Sequence, residues 1–293
     1  MLKNTHITFV LIIGIILVAI FAVFNNSSSQ GNLLFSYPKS DIHFAWELIP
    51  TTWDYYFNKQ KFDKEFLITG NTLYQFYLYI KRYPLFIPYI EEELTKADIP
   101  SDFKYLPIAE SALREDVVSP AGAAGIWQFM PETAERFWLI VNESVDERYN
   151  LEKSTAAAIT YLTLLHNKFN NWTLAAAAYN RWENGIARAL ENQRVDNYYD
   201  LSLNEETSRY VFRITAIKYL IESYFDNRTV IDAIVGWVYQ KPETEKIPLG
   251  TAIDLYQFAA EHNQNYKTLK IMNPWILGDS LPEWDWEITI LKK

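Results

Sequence analysis

The stretch LEKSTAAAITYLTLLHNKF at 151–169, followed two residues later by WTLAAAAYN at 172–180, constrains the fold more than any other part of the chain. Both segments carry apolar residues at helical spacing, and the four alanines Ala175, Ala176, Ala177 and Ala178 suit close packing of helix on helix in a core. NEETSRYVFRITAIKYLIESYF at 204–225 is again amphipathic, with Tyr210, Phe212, Ile214 and Ile217 among its apolar positions. Residues 36–98 read as mostly helical, and NTLYQFYLYIKRYPLFIPYIEEELTKADIP as two helices broken near Pro84. Ser101 is placed to cap a further helix, SDFKYLPIAESAL. VVSPAGAAGI at 117–126 is too rich in small residues for a helix and reads as a loop, after which Met130-Pro131 opens the next helix. Past Asn227 the texture changes: TEKIPL and WEITIL are strand candidates enclosing two short helices, the pattern of a small β-α-α-β module.

The predicted class is therefore mainly α. A helical N-terminal extension (31–94) precedes a helical domain (95–227), and a C-terminal β-α-α-β module (228–293) follows. A chain of 293 residues, 49% hydrophobic and 16% aromatic, can bury a sizeable core. Aromatic faces on that scale suit either such a core or a groove for sugars. The net charge of −9, without a long basic run, excludes the electrostatic footprint of a nucleic-acid binder. The absence of cysteine excludes disulfides, thiolate metal sites, a cysteine nucleophile and a lipoprotein anchor. His6, His43, His166 and His262 are scattered, with no metal-ligand spacing, so neither metal nor cofactor is indicated.

Residues 1–30 read as a membrane anchor or signal plus a polar tether. Ile7 to Phe24 is a run of 18 uncharged residues, long for a signal-peptide core and just long enough to cross a bilayer. Lys3 precedes it, no positive charge lies in 25–38, and no small-x-small cleavage site follows. The expectation is an exported protein anchored in the inner membrane with the rest of the chain in the periplasm; a cleaved signal peptide is the alternative.

One carboxylate stands out. Glu110 follows the apolar run YLPIA and precedes by nine residues Ser119, in a loop that lets a ligand approach backbone closely. A carboxylic acid against apolar walls keeps its proton to higher pH and can protonate a leaving oxygen, as glycosidic cleavage requires. Glycosidases usually add a second carboxylate. The nearest candidates, Glu115 and Asp116, lie in the charged run RED and read as a solvated helix terminus.

Glu110-Ser111, Ser119, GAAGIWQFMP at 122–131, AAYN at 177–180 and EETSRYV at 205–211 occur in the order and spacing of bacterial lytic transglycosylases. Over about residues 95–225 the chain resembles glycoside hydrolase family 23, in particular its membrane-bound D type. The resemblance implies a lysozyme-like helical domain that cuts the β-1,4 bond between N-acetylmuramic acid and N-acetylglucosamine in peptidoglycan glycan strands, leaving 1,6-anhydromuramic acid ends. It implies that Glu110 acts as the single acid and then base, and that Ser119 orients the substrate acetamido group. It further implies that Gln128 and Met130 line the groove, that Tyr179 and Asn180 belong to the site, and that Glu206 and Tyr210 close it.

Each position also has a plainer reading. Met130 and Tyr210 fit apolar helical patterns, Asn180 a helix end, and Glu206 a first-turn carboxylate at a helix dipole; Trp127 reads as core. Two departures stand out: Leu113 where an aromatic often ends the tetrad, and RWENGI after AYN, with Trp182 where the family commonly has glycine. If that position requires a positive backbone angle, Trp182 is strained or the loop differs; otherwise it covers a sugar subsite. The module at 244–291 resembles a degenerate LysM peptidoglycan-binding repeat that lacks the usual opening strand motif. Besides the transglycosylase, a water-using muramidase and a wall-binding protein without turnover remain as alternatives.

Overall fold

The computed structural model describes residues 35–39, 41–226 and 235–292. The expected membrane span and tether lie outside the described residues. A short hairpin, β1 (His43–Phe44) and β2 (Glu47–Leu48), leads into α1 (Tyr56–Asn71), α2 (Leu73–Lys96) and the short α3 (Leu106–Ser111). Then come α4 (Pro131–Arg136), α5 (Leu151–Phe169), α6 (Trp172–Arg181), α7 (Glu183–Gln193) and α8 (Glu205–Asp226). The mainly α class expected from the periodicity is observed.

The helix α6 lies at the centre, packed against α5, α7 and α8. Leu174 and Ala175 to Ala178 are at most 2% exposed. Methyl side chains let the three neighbours approach the α6 backbone, which bulkier residues would prevent. The start of α6 is held from far away in sequence. Glu47 accepts the backbone N–H of Trp172 at 2.6 Å and of Thr173 at 3.2 Å, while Asn171 Oδ1 accepts that of Leu174 at 2.7 Å. These carboxylate and amide oxygens satisfy N–H groups that the helix itself leaves open, and the negative charge sits at the positive end of its dipole.

Two boundaries differ from those read in the sequence. The expected break near Pro84 is absent: α2 is one helix with Pro84 and Pro88 inside it, crossing the domain boundary expected at 94/95. Its stripe of Phe76, Ile80, Phe86, Ile87, Ile90 and Leu94 is buried along the whole length, and this burial outweighs the hydrogen bonds the prolines remove. Near the prolines, the Lys81 carbonyl accepts the N–H of Tyr239 at 3.0 Å. The helix expected to start at Ser101 is instead a 3-10 turn, Ser101–Tyr105, with Pro100 at its cap and no side-chain capping bond. Pro107 has no N–H to return to residue 103, so the α-helix restarts as α3 with proline in its first turn, where no donor is needed.

The loop after α3 is fixed by Arg148. Its guanidinium donates to the Gly122 carbonyl at 2.8 Å and the Phe129 carbonyl at 3.0 Å, and it pairs with Asp146 at 2.7 Å. Ser111 Oγ donates to the Pro107 and Ile126 carbonyls, both at 2.9 Å, joining α3 to the same loop.

The C-terminal module pairs β3 (Thr244–Leu249) with β6 (Trp286–Leu291) antiparallel around α9 (Leu255–Glu261) and α10 (Tyr266–Met272). Two further strands, β4 (Ile253–Asp254) and β5 (Ser280–Leu281), also pair; at two residues each they are too short for alternation to reveal. Leu255, Phe258, Leu269, Trp286 and Ile288 form its core, and Val145 of the helical domain inserts into it. Asp146 N–H donates to the Trp275 carbonyl at 2.8 Å and Leu277 N–H to the Ser144 carbonyl at 2.8 Å, so the module is bonded to the helical domain.

Gly125 has φ 77°, and a Cβ there would stand 1.9 Å from the Arg148 carbonyl oxygen. Gly125→Ala is therefore expected to destabilise the protein by at least about 2 kcal/mol, read as a lowered urea midpoint with unchanged m-value.

Candidate active site

Glu110 is the penultimate residue of α3, which ends because Ala112 and Leu113 both turn left-handed at φ 57°. Arg82 Nη1 donates to the Ala112 carbonyl at 3.0 Å and holds this end in place. The Glu110 side chain projects toward α6 and α8. There Tyr210, buried on α8, donates its hydroxyl to Glu110 Oε1. Burial pushes the Glu110 carboxyl from 4.5 up to about 7; the Tyr210 hydrogen bond and the Arg213 charge oppose the rise, and Glu206 adds to it.

Tyr179, on the last turn of α6, donates to the Trp127 carbonyl at 2.9 Å. Burial and the Glu110 charge hold the hydroxyls of Tyr179 and Tyr210 well above the ordinary tyrosine range, so both remain donors. Trp127 is fully buried, as its reading as core implies, with Nε1 on Thr155 Oγ1 at 3.0 Å. Asn180 accepts from Thr207 Oγ1 at 2.9 Å and donates to Glu206 Oε1 at 3.4 Å. This joins α6 to the first turn of α8. Tyr210, for which core and site were both open, is buried like a core residue and also bonds Glu110.

In the loop, Ser119 Oγ accepts the N–H of Ala123 at 3.0 Å, and the backbone N–H of Ser119 donates to the Ala123 carbonyl at 2.8 Å. Gln128, at φ 52°, spends its amide nitrogen on the Gly125 carbonyl at 2.8 Å and the Val117 carbonyl at 3.3 Å. That nitrogen braces the loop, which leaves the amide oxygen for a ligand. Met130 is half-buried at the cap of α4.

Asp116 is a solvated carboxylate paired with Arg114 at 3.3 Å, as expected. Glu115 is not. It is half-buried in the wall of a crevice of about 820 Å³ between the helical domain and the C-terminal module, beside Leu85, Phe86 and Lys241. Desolvation raises its carboxyl to about 7. Neither residue is among the groups that shift Glu110.

Trp182 adopts φ 72° and ψ 139°, the positive angle that its glycine-like position implied. The site residues missed in the sequence are Arg148 with Asp146, which fix the loop, and Arg213 with Glu65, which set the charge beside Glu110. Their signal lay in acid–base pairs far apart or hidden in the run VDERYN, where nothing distinguishes them from solvated charges. Among the described residues no cluster of potential metal ligands occurs.

Residues 88–201 match the family Transglycosylase SLT domain, and 246–287 match the Soluble lytic transglycosylase C-terminal LysM-like domain. Over 198 residues it is 30% identical to Membrane-bound lytic murein transglycosylase D of Escherichia coli (strain K12), covering 66% of this chain and 43% of that protein. The chain therefore spans less than half the length of that relative. The 70 kDa soluble lytic transglycosylase of Escherichia coli aligns over 64% of this chain and 32% of its own, at 25% identity and a TM-score of 0.43. An inactive mutant of the lytic transglycosylase Slt from Pseudomonas aeruginosa aligns over 47% and 24%, at 24% identity and a TM-score of 0.38.

A carboxyl raised from 4.5 to about 7 favours its protonated form in the fold. It adds no penalty below pH 4.5, a growing penalty from there to pH 7, and on the order of 3 kcal/mol above. Glu110→Gln keeps an acceptor for Tyr210 and removes the charge. It is expected to stabilise the protein at pH 8 by up to about 3 kcal/mol, with the gain vanishing toward pH 4.5, in urea unfolding across that range.

Proposed function

We propose that the protein is a peptidoglycan lytic transglycosylase that cleaves the bond between N-acetylmuramic acid and N-acetylglucosamine and leaves 1,6-anhydromuramic acid ends. The observation that carries this reading is Glu110, a carboxyl that burial raises to about 7, so that a large share keeps its proton at neutral pH, with Oε1 occupied by the Tyr210 hydroxyl. With that oxygen taken, the proton sits on Oε2, the one free to face a glycosidic oxygen. Glu110 passes it to the leaving oxygen as the C1–O bond breaks, and the carbonyl oxygen of the 2-acetamido group closes on C1. The Glu110 carboxylate then removes the 6-hydroxyl proton, O6 displaces the acetamido oxygen at C1, and the acid is restored. The sugar supplies both nucleophiles, so one carboxyl suffices.

Ser119 has the roles of turn brace and acetamido partner: Oγ accepts one backbone N–H and its own proton is available to a carbonyl oxygen. Gln128 offers its amide oxygen, Met130 an apolar edge, and Tyr179 a half-buried wall beside the acid. Asn180 and Glu206 draw α6 and α8 together at the cleft mouth. The C-terminal module adds a second hold on glycan. The uncharged run at 7–24 supports a location in the cell envelope, with an inner-membrane anchor and the rest of the chain facing the wall. Among the described residues no helix is long and apolar enough to cross a membrane.

Among the described residues Glu206 is the one carboxylate whose charge raises Glu110, and it favours a second reading in which it activates water as in a muramidase. Digestion of purified sacculi, with the muropeptides weighed by mass spectrometry, separates the two. Anhydro ends, one water lighter than reducing ends, are expected; reducing ends from the same bond would overturn the transglycosylase reading. Glu110→Gln is expected to lower the rate by on the order of 10³-fold. The wild-type rate is expected to fall about tenfold per pH unit above pH 7, as the acid loses its proton.

A further inference from the structure

Two tryptophans occupy backbone conformations that tryptophan disfavours, and both face solvent. Trp182 has φ 72° and is 52% exposed; Trp138 has φ 69° and is 89% exposed. A side chain with a Cβ at such an angle costs on the order of 1 kcal/mol or more relative to glycine, and an indole left in water forgoes its burial. Nothing in the fold compensates: among the described residues neither indole stacks on another ring, lies under a cation or donates a hydrogen bond. Glycine at either position would remove that backbone cost.

Both sit beside the cleft. Trp182 is two residues beyond Asn180 and caps the C-terminus of α6. Trp138 is two residues beyond Arg136, which donates at 3.0 Å to Glu183, the residue next to Trp182. Between them and the acid runs a row of tilted rings, Phe137 to Tyr161 at 4.9 Å and Tyr161 to Tyr179 at 5.3 Å. The two indoles thus flank one ion pair on the Tyr179 side of Glu110.

We infer that Trp138 and Trp182 form a glycan-binding aromatic pair that holds N-acetylhexosamine units of a strand leaving the Glu110 cleft. The inference rests on the glycan-cleaving reading of that cleft. A β-linked pyranose carries its axial C–H bonds on one face, an apolar patch that fits an indole held open to solvent. A third tryptophan supplies a control. Trp46 has φ 68° and is 72% exposed, but it lies in the β1–β2 turn. Its neighbour Glu47 binds the start of α6, a helix of 10 residues and so about 15 Å long. Trp46 is therefore at the far end from Trp182, where no strand from the cleft passes.

The test uses the full chain in detergent with Glu110→Gln to prevent turnover, titrated calorimetrically with an N-acetylglucosamine hexamer. Trp182→Gly and Trp138→Gly are expected to weaken binding roughly five- to tenfold while the thermal midpoint rises or holds. Trp182→Tyr should stay within about twofold of the parent, and Trp46→Gly should bind as the parent does. If a glycine variant unfolds, Trp182→Asn, which tolerates positive φ, takes its place. Unchanged hexamer affinity in both cleft-side variants, or an equal loss in Trp46→Gly, overturns the proposal. If the unsubstituted protein releases no anhydro-muropeptides while the cleft-side variants still lose hexamer binding, the catalytic reading fails and the aromatic pair stands.

Discussion

The buried ion pair of Arg148 and Asp146 ties the loop after α3 to the C-terminal module. Arg148 spends its guanidinium on the Asp146 carboxylate and on the carbonyls of Gly122 and Phe129, and its own carbonyl lies where any side chain at residue 125 would go. Asp146, through its backbone N–H, bonds the C-terminal module at Trp275. A buried pair of charges is tolerated when its remaining donors are satisfied, and here the satisfying acceptors belong to the loop that forms one side of the cleft. Ser119 and Gln128 are positioned because that loop is pinned from behind, and the module is bonded to the same pin.

The acid is defined by a balance of unequal effects. Desolvation dominates and keeps the proton on Glu110; Tyr210 and Arg213 pull the other way and lose. The arrangement requires a destabilised carboxylate, and the fold bears it through the core around α6. Stability and a raised proton affinity are therefore opposed at one side chain, while the hydrogen bond from Tyr210 occupies one of its two oxygens.

The helices were legible because their signal is local. Residues 151–169 and the alanines of α6 show in any helical-period reading, and Glu110 at a helix end beside a small-residue loop follows from the same pattern. Pro84 misled because local propensity speaks against a continuous helix, whereas six buried side chains of α2 overrule it. Ser101 misled because the deciding residue, Pro107, lies six positions later. Glu115 was read as solvated because a second domain covers it, and no local pattern records that. Arg148, Glu65 and Glu47 act across long stretches of sequence, and as single charges they look like surface residues. Trp182 was legible as an anomaly alone; its positive φ and its exposure together make it a feature.

The N-terminal hairpin and α1 shape the site without touching it. Glu47 completes the start of the helix that ends in Tyr179. Glu65, buried on α1, holds Arg209 and, at 3.4 Å, Arg213. Arg213 is the cation that draws the Glu110 proton off. A guanidinium engaged by a buried carboxylate on one side exerts a smaller pull on the other, so Glu65 limits how far Arg213 can depress the acid. Removing the extension would take Glu47 from the start of α6 and free that cation beside Glu110, changing both the wall of the cleft and the proton affinity of Glu110. The segment before the catalytic helices is thus part of the acid's environment, set there by charge as well as by packing.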